Sequence, residues 1–166
     1  GLYKQGLLHD MSKYSPTEFW VGAKYYQGTR SPNNAEREDI GYSSAWLHHK
    51  GRNKHHYEYW IDYSMQALPG GMAPVPMPDK YIAEMIMDRI AASKVYMGGE
   101  YTDRSPLDYY YQGTDRAPIH PETKAKLLYV LEMLAEEGEE KTFRFIKEEL
   151  VQHKRCMDWH QLEKAE

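Results

Sequence analysis

Apolar side chains recur at intervals of three and four residues along much of the chain, which is the spacing of a helix with one buried face. The clearest example spans residues 79–97 and is followed by Gly98 and Gly99, residues that commonly end helices. Its apolar positions are Ile82, Met85, Ile86, Ile90 and Val95. The pattern therefore predicts a long helix with these side chains in the core.

The C-terminal third carries two further helix patterns. Pro121 is a favourable first helical residue, and the pattern that it opens continues to about Glu137. Gly138 separates this helix from a last one, predicted near residues 139–156. Residues 100–119 are rich in Tyr and have no regular period, so this segment is predicted to be irregular.

Two shorter helices are predicted near the start of the chain. Residues 2–13 place their apolar side chains on one helical face. Ser15 then caps a second helix, Pro16 occupies its first position, and Glu18 completes a capping box. We expect this second helix to run to Tyr26.

The middle of the chain is harder to assign. Residues 35–42 are predicted to be a charged connector or a single helical turn. Residues 43–65 have polar and aromatic side chains at helical spacing, although Gly51 leaves open two short helices instead of one. Residues 68–78 hold four Pro and two Gly and are predicted to be a loop. No strand pattern of comparable length is present, so the predicted fold class is all-α.

The predicted organisation is one domain in two parts. Residues 1–97 form the core that carries the candidate chemistry. Residues 98–166 add the Tyr-rich connector and a C-terminal helix pair that packs on the same domain.

Composition excludes several functional classes. The 41% hydrophobic and 28% charged residues describe a globular protein, and the formal net charge of −4 argues against general nucleic-acid binding. No apolar run approaches the ~20 residues of a membrane helix. A single cysteine, Cys156, excludes an intramolecular disulfide and fits a reducing compartment, so we expect a cytoplasmic protein.

Side chains that bind metals are concentrated in three segments. His9 and Asp10 are adjacent, residues 48–56 contain four histidines, and Asp88 interrupts the apolar stretch EMIMDRIAA. A carboxylate buried in such a stretch is costly unless it is paired or coordinates a metal. Imidazole and carboxylate ligands together suit iron, manganese or zinc. The sequence therefore predicts a site for one or two divalent ions among these side chains, with candidate ligands from His9, Asp10, Glu84, Asp88 and the four histidines of residues 48–56.

Each segment also has an ordinary interpretation. A His-Asp dipeptide usually has no chemical role, and histidines on a helix are often surface residues. Asp88 could pair with Arg89 or Lys94 on a solvated helix face. The order of the whole set along successive predicted helices favours the metal site over these readings.

The order His-Asp, His, His-His, Asp resembles the pattern of the HD-domain superfamily of metal-dependent phosphohydrolases. The stretch HDMSK matches its HDxxK form, so the resemblance implies that Lys13 contacts a substrate phosphate. His9 and Asp10 match the central dyad, and Asp88 matches the terminal aspartate. The remaining histidines resemble those of members that hold two or more metals, including the HD-GYP phosphodiesterases: His49, His55 and His56.

A closer similarity covers about residues 1–97. The stretches HDMSKYSPTEF, AWLHHKGRNKHHYEYW and EMIMDRIAASKVY are similar to an uncharacterised bacterial and phage family of small HD-like proteins. The resemblance implies an HD-domain-like helical bundle, here with an extra C-terminal helix pair.

The function implied by the resemblance is hydrolysis of a nucleotide or another phosphate ester through metal-activated water. Asp10 and Lys13 are the predicted catalytic residues, and Lys13, Arg52 and Asn53 are predicted to bind substrate. Glu84, one turn before Asp88, is predicted to orient a metal ligand.

Two other functions stay open. Some HD-like proteins are di-iron oxygenases with the same ligand order, and a third interpretation is a non-catalytic module that binds a nucleotide or a partner. The superfamily's first His is not among the eight residues before His9, so we expect it upstream of Gly1. Substrate, metal identity and the formation of a homo-oligomer are left undetermined.

Overall fold

The computed structural model describes residues 2–66, 69–113 and 117–154, and this part of the chain is mainly helical. The α-helices are α1 Tyr3–Leu8, α2 Pro16–Tyr25, α3 Pro32–Ile40, α4 Ser44–Lys50, α5 Asp79–Met97, α6 Ser105–Tyr111, α7 Pro121–Glu137 and α8 Glu139–Phe145. Shorter turns are 3₁₀ segments at Met11–Tyr14, Tyr57–Trp60, Pro69–Gly71 and Gly98–Glu100, and a π-helical segment at Ile146–Val151. The predicted all-α class is confirmed.

The one sheet in the described ranges is a small antiparallel ribbon. Its strands are β1 Ile61–Tyr63 and β2 Met72–Pro74. Ile61 pairs with Pro74, and Tyr63 pairs with Met72. None of the described helices is long and apolar enough to cross a membrane.

The apolar core lies between α5 and the helices that follow it. Ile82, Ile86 and Ile90 of α5 are buried, as the spacing predicted. They belong to one cluster with α6, α7 and the π-helical segment, whose buried members include Leu107, Tyr110, Leu127, Val130, Leu131, Leu134, Ile146 and Leu150. Val95 is the exception to the predicted face of α5, because it is 76% exposed.

Helices α2, α3 and α4 form a second layer whose buried residues are small or polar. Glu36 on α3 is fully buried and accepts hydrogen bonds from Ser43 Oγ and Ser44 Oγ, each at 2.6 Å. These bonds tie α3 to the N-terminus of α4. Large apolar side chains of α1, α2 and the adjoining turn are exposed instead, among them Tyr3, Leu7, Met11, Tyr14, Phe19 and Trp20. Polar contacts therefore carry much of the packing in this layer.

The predicted helix boundaries are confirmed where glycine or proline sets them. The helices α5 and α7 have the predicted limits, and Gly98 ends α5 with a positive φ of 53°. Ser15 caps α2 by accepting a hydrogen bond from the backbone N–H of Glu18 at 3.4 Å. The capping box is wrong in its second half. The Glu18 carboxylate contacts two histidines, and the Ser15 N–H donates to the carbonyl of Ser12.

The prediction of one continuous helix through residues 43–65 is wrong. Helix α4 ends at Lys50, and the chain turns before the 3₁₀ segment and β1. His and Asn residues account for most of the helical spacing in this segment. Their spacing reflects the contacts that they make in the candidate site, and it does not mark an apolar helix face. Trp60, the last residue in that spacing, donates from Nε1 to the carbonyl of Lys54 at 2.7 Å and closes the turn.

Three further segments are more ordered than predicted. The segment predicted as a charged connector belongs to α3, which starts at Pro32. The Tyr-rich segment contains α6, where Tyr110 is fully buried. The predicted loop over residues 68–78 contains β2, because a Pro-containing strand is tolerated at a sheet edge. Cys156 lies outside the described residues.

Replacing Ile86 by Ala should lower the free energy of unfolding by about 2–5 kcal/mol, because this fully buried side chain would leave a cavity in the core. Val95→Ala on the same helix should change it by less than about 0.5 kcal/mol, since Val95 is exposed. Urea unfolding followed by circular dichroism measures both. Equal losses would contradict the assignment of the core face.

Candidate metal centre

Three segments of the chain bring together side chains that could hold a metal ion. His9 and Asp10 lie between α1 and the following 3₁₀ segment, and Asp88 lies in the middle of α5. The last residues of α4 and the turn after it contribute His49, His55 and His56. The structure therefore brings together all six predicted metal ligands.

The first set, here the imidazole group, consists of His49, His55 and His56. Its ligand atoms lie within 4.8 Å of one another. His49 and His55 are buried and His56 is half-buried. Trp46 lies against this group, with its ring centroid 4.6 Å from that of His56, and so forms a wall of the site.

The second set, here the carboxylate group, consists of His9, Asp10 and Asp88, and its ligand atoms also lie within 4.8 Å of one another. His9 Nε2 is 3.4 Å from Asp10 Oδ2 and 3.8 Å from Asp88 Oδ1. All three residues are partly exposed. This group lies nearer to solvent than the imidazole group.

Asp10 lies between the two groups. Its Oδ1 atom is 3.4 Å from His49 Nε2 and 3.6 Å from His55 Nε2, while its Oδ2 atom approaches His9. Ligands about 2.0–2.1 Å from a tetrahedral zinc ion lie roughly 3.4 Å from one another. The observed separations thus fit donors arranged around a cation.

Several atoms of the site are buried without a hydrogen-bond partner in the described part of the chain. They include Asp10 Oδ1, His55 Nε2 and His56 Nε2. Buried polar atoms are nearly always paired, so three orphaned atoms in one place need an explanation. A cation would satisfy all three, because each offers a lone pair.

The charge states of these side chains suit metal binding. Burial lowers the pKa of His55 to about 4, although the negative charge of Asp10 opposes this shift. Burial, followed by the repulsion of neighbouring positive charge, lowers the pKa of His56 to about 2. Both imidazoles are therefore neutral at pH 7 and keep a free lone pair. Burial would raise the pKa of Asp10, but the hydrogen bond and charge of Lys13 outweigh it and hold this pKa below its usual range.

Asp88 has the opposite tendency. Burial first, and then the negative charge of Asp10, raise the pKa of its carboxyl. Burial likewise raises the pKa of Glu84 on the same helix. Both shifts favour the neutral carboxyl in the absence of a cation, and a bound cation would favour the ionised carboxylate instead.

Glu18 orients the imidazole group and was missed by sequence reasoning. Its Oε1 accepts a hydrogen bond from His48 Nδ1 at 2.6 Å, and its Oε2 accepts one from His49 Nδ1 at 2.7 Å. Burial would raise its pKa, but hydrogen bonds lower it, first that of His48 and then those of Ser12 and His49, so the carboxylate is ionised. Because an ionised carboxylate only accepts, His49 carries its hydrogen on Nδ1 and presents the lone pair of Nε2 to the site.

His9 is oriented in the same way. Its Nδ1 lies 2.7 Å from the carbonyl oxygen of Gly6, so the hydrogen is on Nδ1 and Nε2 is free for a metal. The sequence contained no signal for Glu18, because a glutamate three residues after a capping Ser is adequately explained by the capping motif.

Two of the three predicted substrate contacts make hydrogen bonds to protein groups next to the imidazole group. Arg52 is exposed, and its Nη1 donates to the carbonyl of His48 at 3.1 Å. Asn53 is buried, and its Nδ2 donates to Ser12 Oγ at 2.7 Å and to the carbonyl of His49 at 2.9 Å. Asn53 therefore joins the 3₁₀ segment to α4 behind the imidazole group.

The third predicted contact, Lys13, lies at the solvent-facing edge. Its Nζ pairs with Asp10 Oδ2, and most of its side chain is exposed. Burial would lower its pKa, but the hydrogen bond to Asp10 and its charge raise it, so Lys13 carries a positive charge beside the carboxylate group.

Glu84 lies next to the site but does not bond a ligand. Its Oε1 is 3.7 Å from His55 Nδ1, and its Oε2 accepts a hydrogen bond from Gln5. The predicted orienting contact is therefore longer than a hydrogen bond. Through Gln5, Glu84 also ties α1 to α5.

The comparisons with known proteins bear on the family alone. A model described as a family of unknown function, DUF5662, matches residues 1–133, a range that includes both ligand groups. No curated protein and no solved structure matches the chain.

Replacing Glu18 by Gln should weaken binding of Zn²⁺ by roughly 10–100-fold, because an amide cannot accept hydrogen bonds from both His48 and His49. Competition with a chromophoric chelator measures the affinity. Glu36→Gln is the matched control, since Glu36 is equally buried in the same layer and bonds only to residues of α4 and its cap. An equal loss of Zn²⁺ affinity in both variants would show that Glu18 contributes only to the stability of the fold.

Proposed function

The chain belongs to a family of unknown function, DUF5662, and we propose from its site that it is a metal-dependent phosphohydrolase. Its substrate is a nucleotide or another phosphate ester, cleaved by water. The observation that carries the proposal is the position of Asp10, whose two carboxylate oxygens are directed towards two different groups of metal-binding side chains.

Paired cations that share a carboxylate are suited to phosphate esters. Two adjacent metals would supply Lewis acidity for a phosphoryl oxygen and would lower the pKa of water at neutral pH. The imidazole group and the carboxylate group would each hold one divalent ion, and Mn, Fe and Zn all suit the mixed donor set.

The remaining polar residues favour an anionic substrate. Lys13 places an ammonium group at the exposed edge of the site, beside Asp10 and not deeper among the histidines. An ammonium in this position attracts a phosphate and balances its charge. Trp46 and the buried Asn53 lie against His49 of the imidazole group.

The test is a hydrolysis assay with purified protein loaded in turn with Mn²⁺, Fe²⁺ or Zn²⁺. We expect at least one member of a panel of nucleotides, cyclic dinucleotides and sugar phosphates to be hydrolysed, and chelation to abolish the activity. Lys13→Ala should retain its metal and lower kcat/KM on the order of 100-fold, because one charged contact to the phosphate is lost.

Lys4→Ala is the control for Lys13, since Lys4 is an exposed lysine of α1. Its kcat/KM should equal that of the unmodified protein. Metal-replete protein that hydrolyses nothing in the panel overturns the proposal. Dioxygen consumption by an iron-loaded sample would then identify a di-iron oxygenase, and nucleotide binding without turnover would identify a binding module.

A further inference from the structure

We infer that a cluster of lysine and aromatic side chains beside the candidate metal centre binds single-stranded nucleic acid. This set, here the basic aromatic cluster, consists of Lys54, Tyr59, Trp60, Lys80 and Tyr81. Its ammonium groups hold phosphates, and its rings stack on bases. The inference goes beyond the proposed hydrolase activity, and the binding that it describes needs no metal ion.

The three rings of the cluster follow one another in space. The ring centroids of Tyr59 and Trp60 are 5.4 Å apart, and those of Trp60 and Tyr81 are 5.7 Å apart. Trp60 and Tyr81 also pack against the apolar core, and Trp60 Nε1 donates a hydrogen bond to the carbonyl of Lys54. These rings are therefore held in place before a ligand binds. Tyr59 is 37% exposed, so part of its ring is accessible to a base.

Two ammonium groups lie near these rings. Lys80 Nζ is 4.8 Å from the centroid of the Tyr81 ring. Lys54 Nζ is 5.9 Å from the same centroid and 5.7 Å from that of Tyr59. Both lysines are exposed, and within the described residues no carboxylate oxygen lies within 4.0 Å of either Nζ atom. A cation–π contact leaves the ammonium charged and its N–H donors unused, so both groups can bind an anion.

The positive charge at the cluster is a local feature of a protein whose formal net charge is −4. Residues 40–57 contain three basic residues, the last of which is Lys54, and no Asp or Glu. Salt screens charges separated by more than about 8 Å at physiological ionic strength, so distant carboxylates weaken this local charge little. The net charge thus argues against binding over the whole surface and leaves binding at one cluster open.

The acidic residues that adjoin the cluster in sequence are engaged by other groups. Asp79 Oδ1 accepts a hydrogen bond from a buried lysine of α7 at 2.6 Å, which compensates its charge. Glu58 has one carboxylate oxygen buried, and Asp62 Oδ1 accepts a hydrogen bond from the backbone of its own strand at 2.7 Å. The two ammonium groups therefore keep their charge available to a ligand.

The combination of ammonium groups and rings favours a single strand over other anions. Proteins that bind single-stranded nucleic acid place basic side chains along the phosphates and aromatic side chains against the bases. A duplex keeps its bases stacked inside, and an acidic polypeptide has no bases to stack. Only a single strand uses both parts of the cluster.

The cluster adjoins the imidazole group. Lys54 directly precedes His55 in the chain. Tyr81 lies about one helical turn from Glu84, whose Oε1 is 3.7 Å from His55 Nδ1. A strand bound to the cluster would therefore lie beside the site at which phosphate esters are proposed to be cleaved.

Fluorescence anisotropy with a labelled single strand of about 12 nucleotides tests the inference. DNA and RNA strands of the same sequence serve as two probes, and we expect both to bind. A duplex of that sequence should bind at least ~10-fold more weakly, because its bases are not free to stack. The slope of log K against log[salt] should be about −0.7 for each phosphate contacted.

Lysine and tyrosine variants have different expected effects. Lys54→Ala and Lys80→Ala should each make the salt slope shallower by about 0.7, because one phosphate contact is lost. Tyr59→Ala should weaken binding about 5–100-fold at constant salt and leave the slope unchanged, because stacking is not ionic. Lys141→Ala, at an exposed lysine of α8, is the matched control and should change neither quantity. All four side chains are exposed, and circular dichroism checks that the variants are folded.

The absence of an anisotropy change at low salt would overturn the inference, and so would equal effects of Lys54→Ala and Lys141→Ala. Equal affinity for the duplex would also overturn it. Displacement by poly-L-glutamate as effective as that by unlabelled strand would assign the cluster to acidic polypeptides and overturn it as well.

The outcomes for the cluster and for the proposed function are separable. Strand binding with these variant effects, in a protein that hydrolyses no phosphate ester, would support the inference and overturn the proposed function. Hydrolysis of small phosphate esters without strand binding would overturn the inference and leave the proposed hydrolase intact.

Discussion

The site depends on one carboxylate that is ionised although it is partly buried. Burial would raise the pKa of Asp10, but Lys13, His9 and His49 together lower it. Asp10 is then the negative group next to both sets of candidate ligands. Without the negative charge of Asp10, no anionic group would lie next to the buried Nε2 atoms of His49 and His55. Among the residues that the structure describes, Asp10 Oδ1, His55 Nε2 and His56 Nε2 have no hydrogen-bond partner, and a cation between them would explain all three.

The rest of the molecule holds this arrangement through two different kinds of packing. Helix α5 is fixed by an apolar core with α6 and α7, so Asp88 is carried by a rigid element. Helices α2 to α4 bury mainly small and polar side chains. Hydrogen bonds to Glu18 and Glu36 join these helices, whereas apolar contacts join α5 to its neighbours. The ligands from the N-terminal half are therefore oriented by directed hydrogen bonds, which set the angle of an imidazole more narrowly than apolar contacts do.

The sequence was informative where local physics decides the structure. Apolar spacing and the flanking Pro and Gly residues predicted α5 and α7, and the types of the six ligands predicted which side chains would meet. A single helix over residues 43–65 was wrong because site residues imitated a helical period. Helix α4 ends at Lys50, next to the break at Gly51 that the sequence left open, and a turn and a strand follow it. Glu18 was missed, because contacts with other parts of the chain, absent from any local pattern, direct its side chain.

The central claim is that Asp10 joins two cations, and X-ray diffraction from metal-loaded crystals tests it most directly. Anomalous difference maps recorded at the metal absorption edges locate each ion relative to the protein. The account predicts two peaks, one beside His49, His55 and His56 and the other beside His9 and Asp88, with one Asp10 oxygen directed to each. A single peak away from Asp10, or none in crystals grown with saturating metal, would contradict it.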